Sequence, residues 1–210
     1  TIPLTILANT STINASVTIV EGDGEKVNIT FTLFVNNIRS ASVHQDNALD
    51  GQNLWLTFND NWNASDTIIV QVNATDGTAN SEYQNSTTTT VTNIPPEITI
   101  PQISPNPANT TDNLTGAAVV TDADPNNKFN VSIVFFKNNV AAVTSSFNNS
   151  ANNTNISRSY DGSNFVRGDT IIVQLNASDG TNTTYKNSST LTIANTAPQV
   201  TQSTFSPTTV

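Results

Sequence analysis

The chain has 210 residues, of which 36% are hydrophobic and 11% charged, and a net charge of −9. Seven scattered Lys and Arg residues argue against nucleic-acid binding, which rewards basic patches, and the lack of cysteine removes disulfides and thiolate metal sites. No window approaches the ~18 apolar residues of a membrane span. No charged-then-apolar export segment opens the chain, so a mature extracellular portion is expected. The polar surface must come from uncharged groups: 32 Asn, 34 Thr and 20 Ser. Thr and Val favour strands and Asn favours turns. No apolar i, i+3, i+4 run is long enough for a helix, so the chain is predicted to be all-β.

In chain order, the first clear strand carries Val27, Ile29, Phe31 and Leu33 on one face. Asn36-Asn37 follows. A second alternating strand carries Ile68, Val70, Val72 and Ala74 and ends in a tight turn at Asp76-Gly77. Asn93-Ile-Pro-Pro96 reads as a linker. Beyond it, strands are predicted near 97–103, 113–121, 128–136, 139–145, 155–160, 169–178 and 185–194. Their core faces include Phe129, Val131, Ile133 and Phe135, then Ile171, Val173, Leu175 and Ala177, with a turn at Asp179-Gly180.

The second half repeats the first. Asp66-Thr-Ile-Ile-Val-Gln-Val-Asn-Ala-Thr-Asp-Gly-Thr78 recurs as Asp169-Thr-Ile-Ile-Val-Gln-Leu-Asn-Ala-Ser-Asp-Gly-Thr181. Tyr83-Gln-Asn-Ser-Thr recurs as Tyr185-Lys-Asn-Ser-Ser, and Asn36-Asn37 as Asn138-Asn139. Two domains are therefore expected, 1–96 and 97–198, each a sandwich of about seven short strands. Residues 199–210 belong to neither. The segment Pro198-Gln-Val-Thr-Gln-Ser-Thr-Phe-Ser-Pro207 copies Pro96-Glu-Ile-Thr-Ile-Pro-Gln-Ile-Ser-Pro105, a first strand with nothing after it. Aligning Glu21 with Asp122 leaves domain 1 without the counterpart of 97–101.

The run of Asn-x-x-Pro, Ser-Pro-x-Pro, Thr-Asp-Ala-Asp, Asn-Asn-Val and Asn-Ala-Ser-Asp-Gly resembles the tandem immunoglobulin-like repeats of archaeal and some bacterial surface proteins. It is also similar to fibronectin-III and PKD-type repeats. The resemblance covers domain 2 fully and domain 1 less well, where Glu21-Gly-Asp-Gly stands for Asp122-Ala-Asp-Pro. It implies surface layers, stalks, adhesins or filaments, and architecture more than function.

Asn-x-Ser/Thr sequons occur at Asn9, Asn14, Asn28, Asn63, Asn73, Asn85, Asn109, Asn113, Asn130, Asn148, Asn152, Asn155, Asn176, Asn182 and Asn187. Composition alone would give about eight, so covalent N-glycans are expected; the bland alternative is an Asn/Thr-rich surface. Strand parity places Asn28, Asn73, Asn130 and Asn176 opposite the core. The same parity puts Asn85 and Asn187 on the face of Val91 and Ile193, unless a bulge intervenes.

An open sandwich edge invites another strand. Residues 199–210 of one subunit would fill domain 1 of the next, Val200 and Phe205 entering its core, to give a head-to-tail polymer of identical subunits. The alternative is an excerpt of a longer repeat protein. Phe34, Ile69, Val134, Phe136 and Ile172 face outward and suit lateral contacts. Asp122, Asp124 and Asp179, or Glu21, Asp23, Glu25 and Asp76, form possible calcium clusters, although acidic turns explain them as well. No other cofactor is expected. His44 lies in no catalytic motif and reads as a solvated loop residue, so no enzyme is expected. Trp55 and Trp62 suit sugar stacking, but Trp62 matches Phe165 and reads as packing. The expectation is a structural subunit of an extracellular glycosylated filament or array. The competing one is an adhesin or ligand-binding stalk that recognises its target through loops 41–53 and 145–155.

Overall fold

The computed structural model describes residues 6–124 and 128–204. Among them, residues 6–95 with 122–124 form one compact unit, and 96–121 with 128–204 form the other. Both are all-β.

The first unit contains β1 (Ile6–Leu7), β2 (Thr12–Thr18), β3 (Val27–Val35), β4 (Ile38–Ala48), β5 (Asn53–Asn59), β6 (Thr67–Thr75), β7 (Gln84–Asn85) and β8 (Thr89–Thr92). One layer runs β1-β8-β6-β3-β4, with β7 also on β6; the other is the pair β2-β5. The second unit contains β9 (Glu97–Ile98), β10 (Gln102–Ser104), β11 (Leu114–Thr121), β12 (Phe129–Lys137), β13 (Val140–Ser150), β14 (Thr154–Tyr160), β15 (Thr170–Ser178), β16 (Thr183–Asn187) and β17 (Leu191–Thr192). Its layers are β10-β11-β14, with β9 on β11, and β13-β12-β15-β16, with β17 on β15. This is the strand order of an immunoglobulin-like, fibronectin-III-type sandwich.

Period-2 alternation builds both cores. Val27, Ile29, Phe31 and Leu33 are buried, as are Phe129, Val131, Ile133 and Phe135. The facing layers compensate in volume. Gly116 lies against Phe135 and Val173, where a Cβ would come within 2.8 Å of Val173 Cγ2 and 2.9 Å of Phe135 Cζ. The first unit has Ala15 at the place of Gly116 and the smaller Leu33 at the place of Phe135, which keeps the packed volume level. Tyr160 meets Phe135 and Phe165 edge to face, with ring centroids 5.5 and 4.7 Å away.

The two Asn-Asn pairs make the β3–β4 and β12–β13 hairpins. Asn36 and Asn37 have φ of 51° and 63°, and Asn138 and Asn139 have 51° and 66°, the left-handed pair of a type I′ turn, which asparagine tolerates. Two expectations fail here. Segments 41–53 and 145–155 are mostly strand, since β4 and β13 run to Ala48 and Ser150; only 49–52 and 151–153 are loop. His44 therefore lies on an edge strand, with Thr30 Oγ1 2.9 Å from its Nδ1.

Candidate functional site: the β2 edge of the first unit

In the second unit, β9 and β10 complete the layer of β11. Ile98 pairs with Val120, Glu97 with Thr121, and Ile103 with Gly116. Ile98 and Ile103 are 1% and 9% exposed, and β9 also touches β15 and β16 across the sandwich. A parallel bridge, Asn109 to Ala194, then carries the chain to the opposite layer.

The described residues of the first unit show the second of these features. Its β1 pairs parallel with β8, Leu7 opposite Thr92, at the repeat-equivalent place of the Asn109 bridge. Among the described residues, however, β2 pairs with β5 alone. Phe58 opposite Ile13 matches Tyr160 opposite Leu114, so Ala15, Val17 and Ile19 stand where the second unit has Gly116, Ala118 and Val120.

Two depressions follow this edge. The larger, about 330 Å³, lies between Val17, Ile19 and Val27 on one side and Val72 and Ala74 on the other. The smaller, about 190 Å³, continues past Ala15, Val70 and Ser86. The apolar residues here are less covered than their counterparts. Val17, Val72 and Ala74 are half-buried, whereas Ala118, Leu175 and Ala177 are buried. Val72 and Ala74 thus depart from the expected core burial because the strand that covers Leu175 and Ala177 has no counterpart among the described residues. Val20, with no strand opposite it among the described residues, is 90% exposed.

Val200, whose counterpart Ile98 is buried, is 90% exposed. Residues 199–204 form no strand, and Phe205 lies outside the described residues.

Twelve of the fifteen sequon asparagines are exposed; Asn73, Asn176 and Asn182 are half-buried. In several, Oδ1 is the engaged atom. It accepts from Thr57 Oγ1 at Asn14 (2.7 Å), from Asn47 N at Asn28 (3.1 Å) and from Gly162 N at Asn113 (2.8 Å). Nδ2, the atom a sequon glycan would use, is left out of these bonds. Asn85 and Asn187 are also exposed, because the register slips by one residue between β7 and β8 on β6 and between β16 and β17 on β15. Gln71 pairs with Asn85 but Ile68 with Thr89; Gln174 pairs with Asn187 but Ile171 with Leu191. Ser86 and Ser188 anchor the slip, each hydroxyl accepting from Val70 N (3.0 Å) or Val173 N (2.9 Å). The bulge turns both asparagines outward.

The acidic residues hold backbone amides. Asp124 N donates to Asp122 Oδ1 at 2.8 Å, and Asp124 Oδ2 accepts from Ile94 N at 3.0 Å. Asp179 Oδ1 accepts from Thr181 and Asn182 N, both at 2.7 Å, and Asp76 does the same for Thr78 and Ala79; those two amides hold Asp76 below the ordinary carboxylate range. Among the described residues no three His, Cys, Asp or Glu side chains gather into a metal-binding group, so Asp122, Asp124 and Asp179 are not brought together, nor are Glu21, Asp23, Glu25 and Asp76. Trp62 is 1% exposed and Trp55 64%, so the first packs in the core and only the second offers a face. The outward Phe34, Ile69, Val134, Phe136 and Ile172 are half-buried, with Phe34 opposite Ile69 and Phe136 opposite Ile172 as cross-strand pairs.

The fold defines a class: tandem immunoglobulin-like, fibronectin-III-type sandwiches. No protein-family model matches the chain, and no curated protein does. Among solved structures it is similar to a two-domain fibronectin type-III segment of chicken tenascin, at 13% identity over 91% of this chain and 93% of that one, TM-score 0.39. It is also similar to the chicken interferon gamma receptor alpha chain, at 11% identity over 92% of this chain and 97% of that one, TM-score 0.40. Among the described residues no helix is long and apolar enough to cross a membrane.

Proposed function

We propose that the chain is a structural, non-catalytic subunit of an extracellular, N-glycosylated filament or surface array of the archaeal or bacterial repeat-protein kind. Subunits join head to tail when residues 199–210 of one copy add as a strand to β2 of the next. The observation that carries this reading is the apolar groove that the described residues leave beside β2. Its counterpart in the second unit is filled by Ile98 and Ile103, and Val200 and Phe205 occupy the same places in a copy of that strand. Strand addition gives affinity through main-chain hydrogen bonds and register through alternate side chains. A head-to-tail contact does not close on itself, so it propagates.

Deleting residues 199–210 tests this. Electron microscopy and sedimentation are expected to show monomers in place of filaments, and filaments of normal length would overturn strand addition. Intact mass reports the sugar coat separately. A second reading, a ligand-binding stalk, draws on the exposed Trp55, since a bare indole face suits sugar stacking. Loss of cell or glycan binding in Trp55→Ala with filaments intact would favour it.

A further inference from the structure

The outer face of the β4-β3-β6 sheet in the first unit carries a shallow groove of about 390 Å³, distinct from the one beside β2. Thr30, Thr32, Phe34 and Arg39 line one side, Gln71, Asn73 and Tyr83 the other. Asn73 is a sequon asparagine in mid-sheet rather than in a loop, directly across from Thr30. We propose that this groove is the seat of the glycan attached to Asn73, whose first sugars lie back on the sheet against Tyr83 and Phe34. This rests on the glycosylation reading above.

Three observations single out this occupant. First, the tether is inside the groove, so the local concentration of sugar there is set by a single side-chain linkage, and even weak contacts are made. Second, Tyr83 is 65% exposed and explained by no core contact. The β6–β7 pairing of Val72 with Gln84 places it one step on, beside Asn73. Third, the second unit repeats the pairing: Tyr185, 64% exposed, stands directly across from the sequon residue Asn176. An exposed tyrosine beside a mid-sheet sequon thus occurs twice.

The chemistry suits a sugar. The negative face of an aromatic ring attracts the positive C–H edge of a pyranose. Arg39 Nε and Nη2 are held on Ser42 Oγ at 3.1 and 2.8 Å, and the rest of its five-donor fork is available to sugar hydroxyls. Along β6 the groove runs from Asn73 to Gln71 and on towards Phe34, roughly 7 Å per pair of residues, a span of two or three sugars. In the second unit Ala141 stands at the place of Arg39, so that seat rests on the aromatic contact alone.

The test uses the full glycosylated chain. Glycopeptide mass spectrometry reads occupancy at Asn73. NMR reads contacts between Tyr83 ring protons and sugar protons, and melting reads coupling between Asn73→Gln and Tyr83→Ala. The expected result is occupancy, ring-to-sugar contacts, and a lowering of the first unit's melting midpoint by Asn73→Gln that vanishes in the Tyr83→Ala background. An occupied Asn73 with no contacts and additive effects overturns the seat and leaves the sugar coat standing. A bare Asn73 among occupied sequons overturns it also. If every sequon is bare, the seat and the coat fall together. Asn85→Gln, which removes the neighbouring sequon, is expected to leave the ring contacts in place; their loss would assign them to the Asn85 glycan and overturn the proposal.

Discussion

Asp169 stands at the mouth of β15, 6% exposed, and three donors hold its carboxylate: Val166 N and Asn138 Nδ2 at 2.8 Å and Lys137 Nζ at 3.0 Å. The Val166 amide comes first in holding its pKa below the ordinary value, and Asn138 and Lys137 add to it against the opposing effect of burial. A carboxyl lowered in the folded state contributes stability above its unfolded pKa of about 3.9 and loses that contribution as pH falls through the lowered value. Asp169→Asn is therefore expected to cost the second unit about 2 kcal/mol at pH 7 and to flatten its stability loss below about pH 4. Calorimetry from neutral to acid pH checks both, and an unchanged acid limb would show that Asp169 is not the group titrating. Asp66 keeps the amide contacts, to Asn63 N and Asn36 Nδ2, both 2.8 Å, but Val35 stands at the place of Lys137. Asp66→Asn is expected to cost the first unit less.

At the scale of the element, the strands with one buried face were legible. β3, β6, β12 and β15 alternate in sequence because they alternate between core and solvent. β4 was not, and β13 was legible only in its first part, within the expected strand near 139–145. As polar edge strands they have little apolar periodicity, and their Asn content reads as loop. Asn47 and Asn149 do take left-handed φ, 58° and 54°, but as bulges within the ladder. A similar one-residue slip at Ser86 and Ser188 defeated simple parity for Asn85 and Asn187, since a bulge reverses every face beyond it. The hairpins give a direct check. Asn139 occupies the second left-handed position, so Asn139→Gly is expected to be neutral or slightly stabilising. Asn139→Val should cost about 1–2 kcal/mol per left-handed β-branched residue. Denaturant melts of the two variants must diverge in that direction, and equal stabilities would refute the turn assignment.

At the scale of the molecule, the repeat let the sequence align the two cores position by position, but not show how far each position is covered. Both Val72 and Leu175 sit at core parity in equivalent strands, and only the structure shows Leu175 buried and Val72 half-covered. The Tyr83 groove escaped sequence reading as well, although the matching Tyr83 and Tyr185 were its available signal. If the β2 groove is specific for the strand sequence, it should bind that strand as a free peptide. In the chain lacking 199–210, a peptide of residues 196–210 is expected to raise the first unit's melting midpoint as its concentration rises. At 100 times its Kd the gain is about 2.7 kcal/mol, or roughly 10 °C or more for a domain of this size. The second unit, whose position is already filled by Ile98 and Ile103, should not respond. A peptide carrying Val200→Asp would have to bury a charge between Ile19 and Val27 and should bind far more weakly. Val17→Lys, at the half-buried rim of the groove, should weaken the response from the acceptor side without removing a core residue. A midpoint that ignores the peptide, or one that responds equally to the Val200→Asp version, would mean the groove accepts something other than this strand.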